Sequence, residues 1–180
     1  IIRFATEALA GIPSIVFGLF GFAFFVILLE PITGGWSILS ASLTGVTMIL
    51  PTIVRTAEEA LKAVPDSLRE GSLALGTTKW QTIKSLSLPT AWPGISTGII
   101  LSIGRVVGET AAFLLTLGGS LLIPHSLFDG TRTLSLHLYM VAMETGAMDV
   151  AFGTAAVLIV LILLINFAAS WFFRRLIKRF

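Results

Sequence analysis

The sequence contains no cysteine and few charged residues. The absence of cysteine excludes a disulfide framework and a thiolate metal site. Charged residues make up 12% of the 180 residues, whereas a soluble domain carries about 25%. The net charge of +2 is also small, and it gives no indication of a nucleic-acid partner. This scarcity of charge leaves too little polar surface to coat a water-soluble globule, and it indicates a membrane protein.

Apolar residues dominate what is present. Hydrophobic residues account for 55% of the sequence, and the mean hydropathy is +0.95. Four apolar stretches approach the roughly 20 residues that a membrane-spanning helix needs. They cover about residues 12–29, 38–54, 92–117 and 150–173. Because these stretches are continuous rather than alternating, they favour helices over the strands of a membrane barrel. The sequence therefore predicts one all-α domain, a polytopic membrane helix bundle with four spans.

Lysine and arginine are distributed unequally between the two predicted sides of the membrane. One side comprises the N-terminus, the loop 55–90 and the C-terminus, and it holds ten of the twelve basic residues. The opposite side, made of the loops 30–37 and 118–149, holds only Arg132, while Arg105 lies inside the third predicted span. Basic residues concentrate in cytoplasmic loops. The pattern therefore predicts an inner-membrane or plasma-membrane protein with both ends of the chain and the loop 55–90 in the cytoplasm.

The outer loop 118–149 is more than a plain connection. The run 133–145 has apolar residues at helical spacing but is too short to span a bilayer, so we expect an interfacial or re-entrant helix. Two histidines and two acidic residues of this loop raise the question of a metal site. These residues are His125, Asp129, His137 and Glu144. Their spacing fits no standard set of zinc ligands, and we interpret them as polar surface residues.

The predicted cytoplasmic loop contains signals for two short helices. The first covers the run 66–75, and Gly76 suits its C-terminal end. Thr78 suits the N-cap of a second helix over 79–86, which Pro89 is expected to end before the third span. Apolar side chains are scattered through this charged segment, as is typical of a docking surface. A helix pair folded back on its own membrane domain is the alternative interpretation.

Arg105 lies near the middle of the third predicted span. A charged side chain there costs about 2.5–3.5 kcal/mol on insertion scales, so a partner or a function is expected. Glu109 follows four residues later, on the same face of a helix, and Thr110 offers a hydroxyl group. Two interpretations stay open, namely an internal ion pair that locks helices together and an anion pathway or gate. A guanidinium matches the geometry of phosphate through a bidentate fork.

The spacing of residues in the cytoplasmic loop resembles the EAA loop of ABC importer permeases. The pattern is Glu70-Gly71-Ser72, three residues, Gly76, nine residues, Leu86, one residue and Leu88-Pro89. The family pattern is Glu-Ala-Ala, three residues, Gly, nine residues, Ile, one residue and Leu-Pro, so every spacing agrees. This sequence has glycine and serine in place of the two alanines, and leucine in place of isoleucine. Each replacement is similar in size to the family residue. The resemblance implies that this loop is a coupling helix seated in a groove of a cytoplasmic ATPase.

Further segments resemble the phosphate permeases within the type I ABC importers. They are Arg105-Val106-Val107-Gly108-Glu109-Thr110 and Phe128-Asp129-Gly130-Thr131-Arg132-Thr133. The resemblance implies a permease subunit of a phosphate importer, with Arg105, Glu109 and Thr110 at the substrate pathway or gate. It also implies a second permease, two ATP-binding subunits that hydrolyse the ATP, and an extracytoplasmic phosphate-binding protein. Such permeases usually have six spans, with the EAA loop between the fourth and fifth, so about two N-terminal spans are expected to be absent here.

Other functions stay open on the sequence alone. The nearest is a permease for another oxyanion, such as molybdate or sulfate. An intramembrane phosphatase or protease would need a nucleophile–base pair or a ligand cluster inside a span, where only Arg105 and Glu109 are polar enough. A membrane anchor without transport would need neither a central arginine nor a coupling loop. The sequence has no phosphate-cradling loop for ATP, and we predict no catalytic residue, cofactor or metal.

Overall fold

The computed structural model describes residue 6 and residues 8–177, with side chains described as far as Arg175. The described residues form helices and connecting turns without any named strand, which confirms the all-α prediction. The α-helices are α1 (Ser14–Gly21), α2 (Glu30–Thr33), α3 (Ile38–Lys62), α4 (Asp66–Ala74), α5 (Lys79–Thr82), α6 (Leu88–Val107), α7 (Ala111–Thr116), α8 (Leu134–Met140) and α9 (Met148–Ile177). The π-helical segments Phe22–Leu28, Ile83–Ser87 and Val141–Thr145 continue α1, α5 and α8.

Three helices in the described part of the chain are long and apolar enough to cross a membrane. They are Ile38–Lys62, Lys79–Val107 and Met148–Arg175. The apolar helix Ser14–Leu28, which corresponds to the first predicted span, is shorter. Only 11% of the most apolar 18-residue stretch of α9 is buried inside the structure. This helix therefore presents most of its apolar side chains outward, as expected of a surface that contacts lipid or another membrane helix.

α3 extends beyond residue 54, where the second span was predicted to end, and continues to Lys62. Two i,i+4 ion pairs support its exposed last turns. Arg55 Nε lies 3.0 Å from Glu59 Oε1, and Lys62 pairs with Glu58. The first part of the predicted cytoplasmic loop is therefore a helical continuation of α3.

α3 and α6 pack closely because glycines of α6 face small side chains of α3. A Cβ atom built on Gly98 would lie 2.0 Å from Thr56 Oγ1, and one built on Gly94 would lie 2.6 Å from the Cβ of Ala60. These distances leave no room for a methyl group. Gly94 precedes Gly98 along α6, whereas Ala60 follows Thr56 along α3. The two helices therefore run antiparallel. Small residues permit this close approach of membrane helices, where packing drives association.

The helix that begins at Lys79 passes through Pro89 into α6, so the expectation that it ends there is wrong. The segment Ile83–Ser87 is π-helical, and the N–H of Leu88 donates to the carbonyl of Ile83, five residues earlier. In an ordinary α-helix, proline removes one hydrogen bond and its ring clashes with the carbonyl four residues back. The wider π turn changes the hydrogen-bond register just before the proline, and the helix continues.

The third predicted span, 92–117, is not one continuous helix. α6 ends at Val107 and α7 begins at Ala111, so Gly108, Glu109 and Thr110 form a break. α7 then packs into the core. The core cluster consists of Ala41, Ala112, Phe113, Leu117 and Leu136, which come from α3, from α7 and the residue that follows it, and from α8.

The loop 118–149, predicted to lie on the outer side, is fixed to the start of α3. The N–H groups of Ile38 and Leu39 donate to the carbonyls of Asp129 and Leu127, at 3.1 and 2.9 Å. These are orphan donors at a helix N-terminus, which need partners outside the helix. A short helix within 133–145 is confirmed, because α8 and its π-helical continuation occupy this run.

Candidate substrate pathway and coupling surface

Arg105 lies in the last turn of α6, where the continuous helix ends, and not in the middle of an unbroken span as expected. The residue is half-buried. Among the described residues, no ion pair and no hydrogen bond engages its guanidinium. A cation in this turn is favourable because the C-terminus of a helix carries a partial negative charge. The guanidinium therefore has donors that no described residue of this chain engages.

Glu109 has a partner in the backbone. Its Oε1 accepts a hydrogen bond from the N–H of Ala112 at 3.1 Å, and its main-chain carbonyl accepts one from Ser135 Oγ at 2.6 Å. The carboxylate thus satisfies a free donor at the start of α7. The i,i+4 ion pair between Arg105 and Glu109, one of the two interpretations left open by the sequence, is not formed among the described residues. α6 ends at Val107, so the two side chains no longer share a helical face.

The break between α6 and α7 keeps its backbone hydrogen-bonded. The N–H of Gly108 donates to the carbonyl of Gly104 at 3.2 Å, and the N–H of Glu109 donates to that of Val106 at 3.1 Å. Irregular backbone at membrane depth is tolerated where protein buries it or where it lines a water-filled cavity. Thr110 is half-buried in this break, and its hydroxyl makes no hydrogen bond among the described residues. The break therefore places a free hydroxyl a few residues after Arg105.

Two further polar side chains lie near Arg105, namely Ser102 on α6 itself and Asn166 on α9. A Cβ built on Gly104 would lie 3.5 Å from Oδ1 of Asn166, a residue of α9. That oxygen and Ser102 Oγ are buried, and neither has a hydrogen-bond partner in the described part of the chain. The sequence did not assign these residues to the site. A polar residue inside an apolar helix was the available signal, but such residues commonly bond neighbouring helices.

α4 and α5 form a tight helical turn. Gly76 follows α4 with a φ of +83°, in the left-handed region that glycine adopts without strain, which confirms the predicted helix end. Ser72 Oγ lies 2.8 Å from Thr77 Oγ1 and 3.2 Å from Thr82 Oγ1, so hydroxyl hydrogen bonds join the two helices. Thr78 caps α5, as predicted.

The outer face of α4 is open. A Cβ built on Gly71 would meet no atom within 4 Å, and Glu70 is exposed. Exposed apolar residues also occur on and next to α4 and in the helix that follows. They are Leu68, Leu73, Leu75, Trp80 and Ile83. Leu86 and Pro89 are half-buried in the helix that leads into α6. Of the motif residues, Glu70 and Gly71 are therefore open to a partner, while Ser72 holds the turn together.

The acidic and histidine residues of the loop 118–149 do not form a common site in the described part of the chain. Asp129 Oδ2 accepts hydrogen bonds from the backbone N–H groups of His125 and Ser126, at 2.8 and 2.9 Å. Its carboxylate thus stabilises a local turn. Within residues 8–175, no group of three histidine, aspartate or glutamate residues is arranged to hold a metal ion.

The chain resembles several transport permeases of known type. It is 40% identical to the probable ABC transporter permease protein YqgI of Bacillus subtilis, over 94% of this chain and 62% of that protein. It is 42% identical to the phosphate transport system permease protein PstA 1 of Mycobacterium tuberculosis, over 93% of this chain and 54% of the relative. With PstA of Yersinia pestis it shares 35% identity, over 96% of this chain and 58% of the relative. The chain thus spans somewhat more than half the length of these curated relatives. No solved structure matches it.

The family assignment agrees with the apolar helices and with the helical turn that carries the EAA spacing. Residues 1–180 match the family described as binding-protein-dependent transport system inner membrane component. The curated relatives in this group are permease proteins of transporters rather than enzymes. The chain therefore belongs to the binding-protein-dependent transport system inner membrane components, and it is a multi-pass, all-α membrane protein.

Proposed function

We propose that this chain is the membrane-spanning permease subunit of an ATP-driven importer of inorganic phosphate. The observation that carries the proposal is the guanidinium of Arg105, which lies beside a helix break and has no acidic partner among the described residues. A guanidinium binds a tetrahedral oxyanion through two parallel hydrogen bonds. The phosphate transport permeases among the relatives support phosphate as the anion.

The proposed pathway runs along the break between α6 and α7. Arg105 supplies the positive charge, and the free hydroxyl of Thr110 supplies a hydrogen bond to the anion. Glu109 caps α7 through the N–H of Ala112 and so fixes the distance between the other two residues. In this arrangement Glu109 is a positioning residue of the gate. Its carboxylate is hydrogen-bonded to a backbone N–H group of α7 and does not contact the anion.

The proposed coupling surface is the open face of α4 around Glu70 and Gly71, which seats in a groove of an ATP-binding subunit. Small side chains allow close seating, and the exposed apolar residues nearby provide area to bury. Ser72 and Gly76 maintain the turn, so that α4 and α5 move together. Leu86 and Pro89 belong to the helix that carries this movement into the membrane.

One helix links the coupling surface to the pathway. The continuous helix Lys79–Val107 has 29 residues, which correspond to about 43 Å at 1.5 Å per residue. It begins beside the docking turn and has Arg105 in its last turn. Because a helix is stiff along its axis, closure of the ATP-binding subunits on α4 displaces Arg105 and opens or closes the anion route.

The proposed assembly contains a second, PstC-like permease, two ATP-binding subunits and an extracytoplasmic phosphate-binding protein. The anion route lies at the interface of the two permeases. The start of α6 and the end of α9 lie together, since Pro93, Thr97, Phe173 and Arg174 line one cavity. The excess of basic residues at this end supports a cytoplasmic location for it. The basic residues Arg3, Lys178 and Arg179, used in the prediction for both termini, lie outside the described residues.

The test is the anion dependence of ATP hydrolysis by the complete transporter in lipid vesicles. The binding protein is added with phosphate, sulfate or molybdate, and ATP hydrolysis and anion uptake are measured together. We expect phosphate to stimulate both. Stimulation by sulfate or molybdate alone would assign the chain to another oxyanion importer. Failure of the chain to purify with an ATP-binding subunit would contradict the proposal altogether.

A further inference from the structure

The backbone on both sides of Arg132, a residue of the loop 118–149, is anchored by hydrogen bonds. On one side, the N–H of Thr131 donates to the carbonyl of Leu117 at 3.1 Å, and the carbonyl of Thr131 accepts from Gly119 at 3.0 Å. On the other side, Thr133 Oγ1 accepts from the N–H of Leu136 at 3.2 Å and caps α8. The backbone of Arg132 therefore lies between two anchored residues, and the fold determines where its side chain starts.

The charge of Arg132 is not neutralised within the described residues. The residue is half-buried, and no ion pair in the described part of the chain includes it. Its Nη1 has only a weak contact with Met140 Sδ at 3.7 Å, and its buried Nε has no hydrogen-bond partner. The nearby carboxylate of Asp129 is engaged by the N–H groups of His125 and Ser126. A half-buried guanidinium normally pairs with an acid, because unpaired burial of charge is costly.

A cavity of about 450 Å³ opens beside this side chain. Arg132 lines it together with Thr131 and Thr133, and apolar residues of α3 and α7 form most of the remaining wall. Val106 of α6 also lines the cavity, and it is the residue next to Arg105 in the chain. The cavity therefore extends from the outer loop to the end of α6, where the proposed pathway residue lies.

We propose that Arg132 is a second anion-contact residue, which receives a tetrahedral oxyanion of the phosphate class at the outer end of the route before it reaches Arg105. The inference rests on the proposed function and adds an entry site to it. Arg132 supplies the charge in a largely apolar cavity, where a charge-assisted hydrogen bond is stronger than in water. The two neighbouring hydroxyl groups on the same wall are engaged within the chain. Thr131 Oγ1 donates to the carbonyl of Leu122 at 3.4 Å, and Thr133 Oγ1 is hydrogen-bonded to Ser135 Oγ and to the N–H of Leu136. Arg132 therefore supplies the donors for the anion.

The test is the phosphate dependence of uptake by the complete transporter in vesicles, for wild type, Arg132→Gln and Arg132→Lys. We expect Arg132→Gln to raise the KM for phosphate about tenfold or more, which corresponds to about 1.4 kcal/mol, with a smaller change in kcat. Arg132→Lys should recover part of the loss, since it keeps the charge but not the planar fork. Arg55→Gln, which removes a guanidinium from an exposed ion pair on α3, is the matched control and should leave the KM unchanged.

The outcomes separate this inference from the proposed function. An unchanged KM in Arg132→Gln at a normal amount of assembled complex would overturn the entry site and leave the phosphate importer intact. A reduced amount of complex with an unchanged KM would assign Arg132 a structural role and also overturn it. If sulfate or molybdate replaces phosphate as the transported anion, the same comparison is made with that anion. If no anion is transported by the wild type, both proposals fail.

Discussion

Oε1 of Glu109 accepts a hydrogen bond from the N–H of Ala112 at 3.1 Å, whereas the guanidinium of Arg105 has no partner among the described residues. Loss of one member of a buried ion pair costs about 3–5 kcal/mol, because the other charge is left unpaired. That cost does not arise here, since the two side chains do not pair. Substitution of Glu109 should therefore lower the stability of the helix break, and substitution of Arg105 should lower anion transport.

A double-mutant cycle tests this separation at the residue scale. Glu109→Ala should lower the free energy of unfolding of the assembled complex by about 1 kcal/mol, because it removes the cap of α7. Arg105→Gln should change that free energy by less than about 0.5 kcal/mol, and the two effects should add within about 0.5 kcal/mol. Glu109→Gln, which keeps an oxygen acceptor, is the control and should retain most of the stability. A coupling energy of several kcal/mol, measured by unfolding in detergent, would restore the ion-pair interpretation.

The sequence identified the charged residues of the candidate site but not their relation to each other. A spacing of four places two side chains on one face only while the helix continues. The break after Val107 has Gly108 as its main local signal, and a single glycine within an apolar run is weak evidence for the end of a helix. The contact of Ser135 with the carbonyl of Glu109 joins residues 26 positions apart, and no local pattern reports such a contact.

Helix ends were predicted well where the sequence carries a capping side chain or a glycine that adopts a positive φ. α4 was expected over 66–75 and ends at Ala74, and Gly76 has the expected positive φ. The prediction failed at Pro89, because a π turn allows the helix to continue and nothing in the residue types announces that turn. The extension of α3 past residue 54 had a signal in the sequence, namely acidic and basic residues four positions apart.

At the scale of helix packing, the contact between α3 and α6 depends on the absence of a side chain at Gly98. Gly98→Ala should destabilise the chain by about 1–3 kcal/mol, because the added methyl group would lie 2.0 Å from Thr56 Oγ1. Gly153 on α9 is the matched control, since a Cβ there meets no atom within 4 Å. Gly153→Ala should be neutral or stabilising by up to about 1 kcal/mol, as expected for a helical glycine. Equal thermal stability of the two variants would contradict the close packing.

The coupling role of α4 is testable with a bulky residue on its open face. Gly71→Trp should leave the amount of inserted chain unchanged, because a Cβ at Gly71 meets no atom within 4 Å of this chain. The same change should weaken association with the ATP-binding subunit and abolish uptake, because the indole would prevent seating in its groove. Gly153→Trp, also at an open position, should preserve association. Normal association and uptake in Gly71→Trp would place the ATPase contact elsewhere.

For the whole molecule, the orientation in the membrane follows from the distribution of basic residues and stays a prediction. The chain has no native cysteine, so single introduced cysteines report position without background. A cysteine at the exposed position Ser67 on α4 should react with an impermeant reagent only from the cytoplasm, and one at the exposed Ser126 only from outside. Reaction of both positions from the same side would contradict the proposed topology.

The most direct test of the whole account is phosphate uptake per assembled complex in the Arg105→Gln variant. Loss of a charge-assisted hydrogen bond of about 1.5–3 kcal/mol predicts a decrease of roughly 10- to 100-fold, with complex assembly at the wild-type level. Arg105→Lys should recover part of the uptake, and the control Arg55→Gln should transport normally. Wild-type uptake by Arg105→Gln would contradict the account, because the anion would then cross the membrane without the one guanidinium placed at the break between α6 and α7 in the described part of the chain.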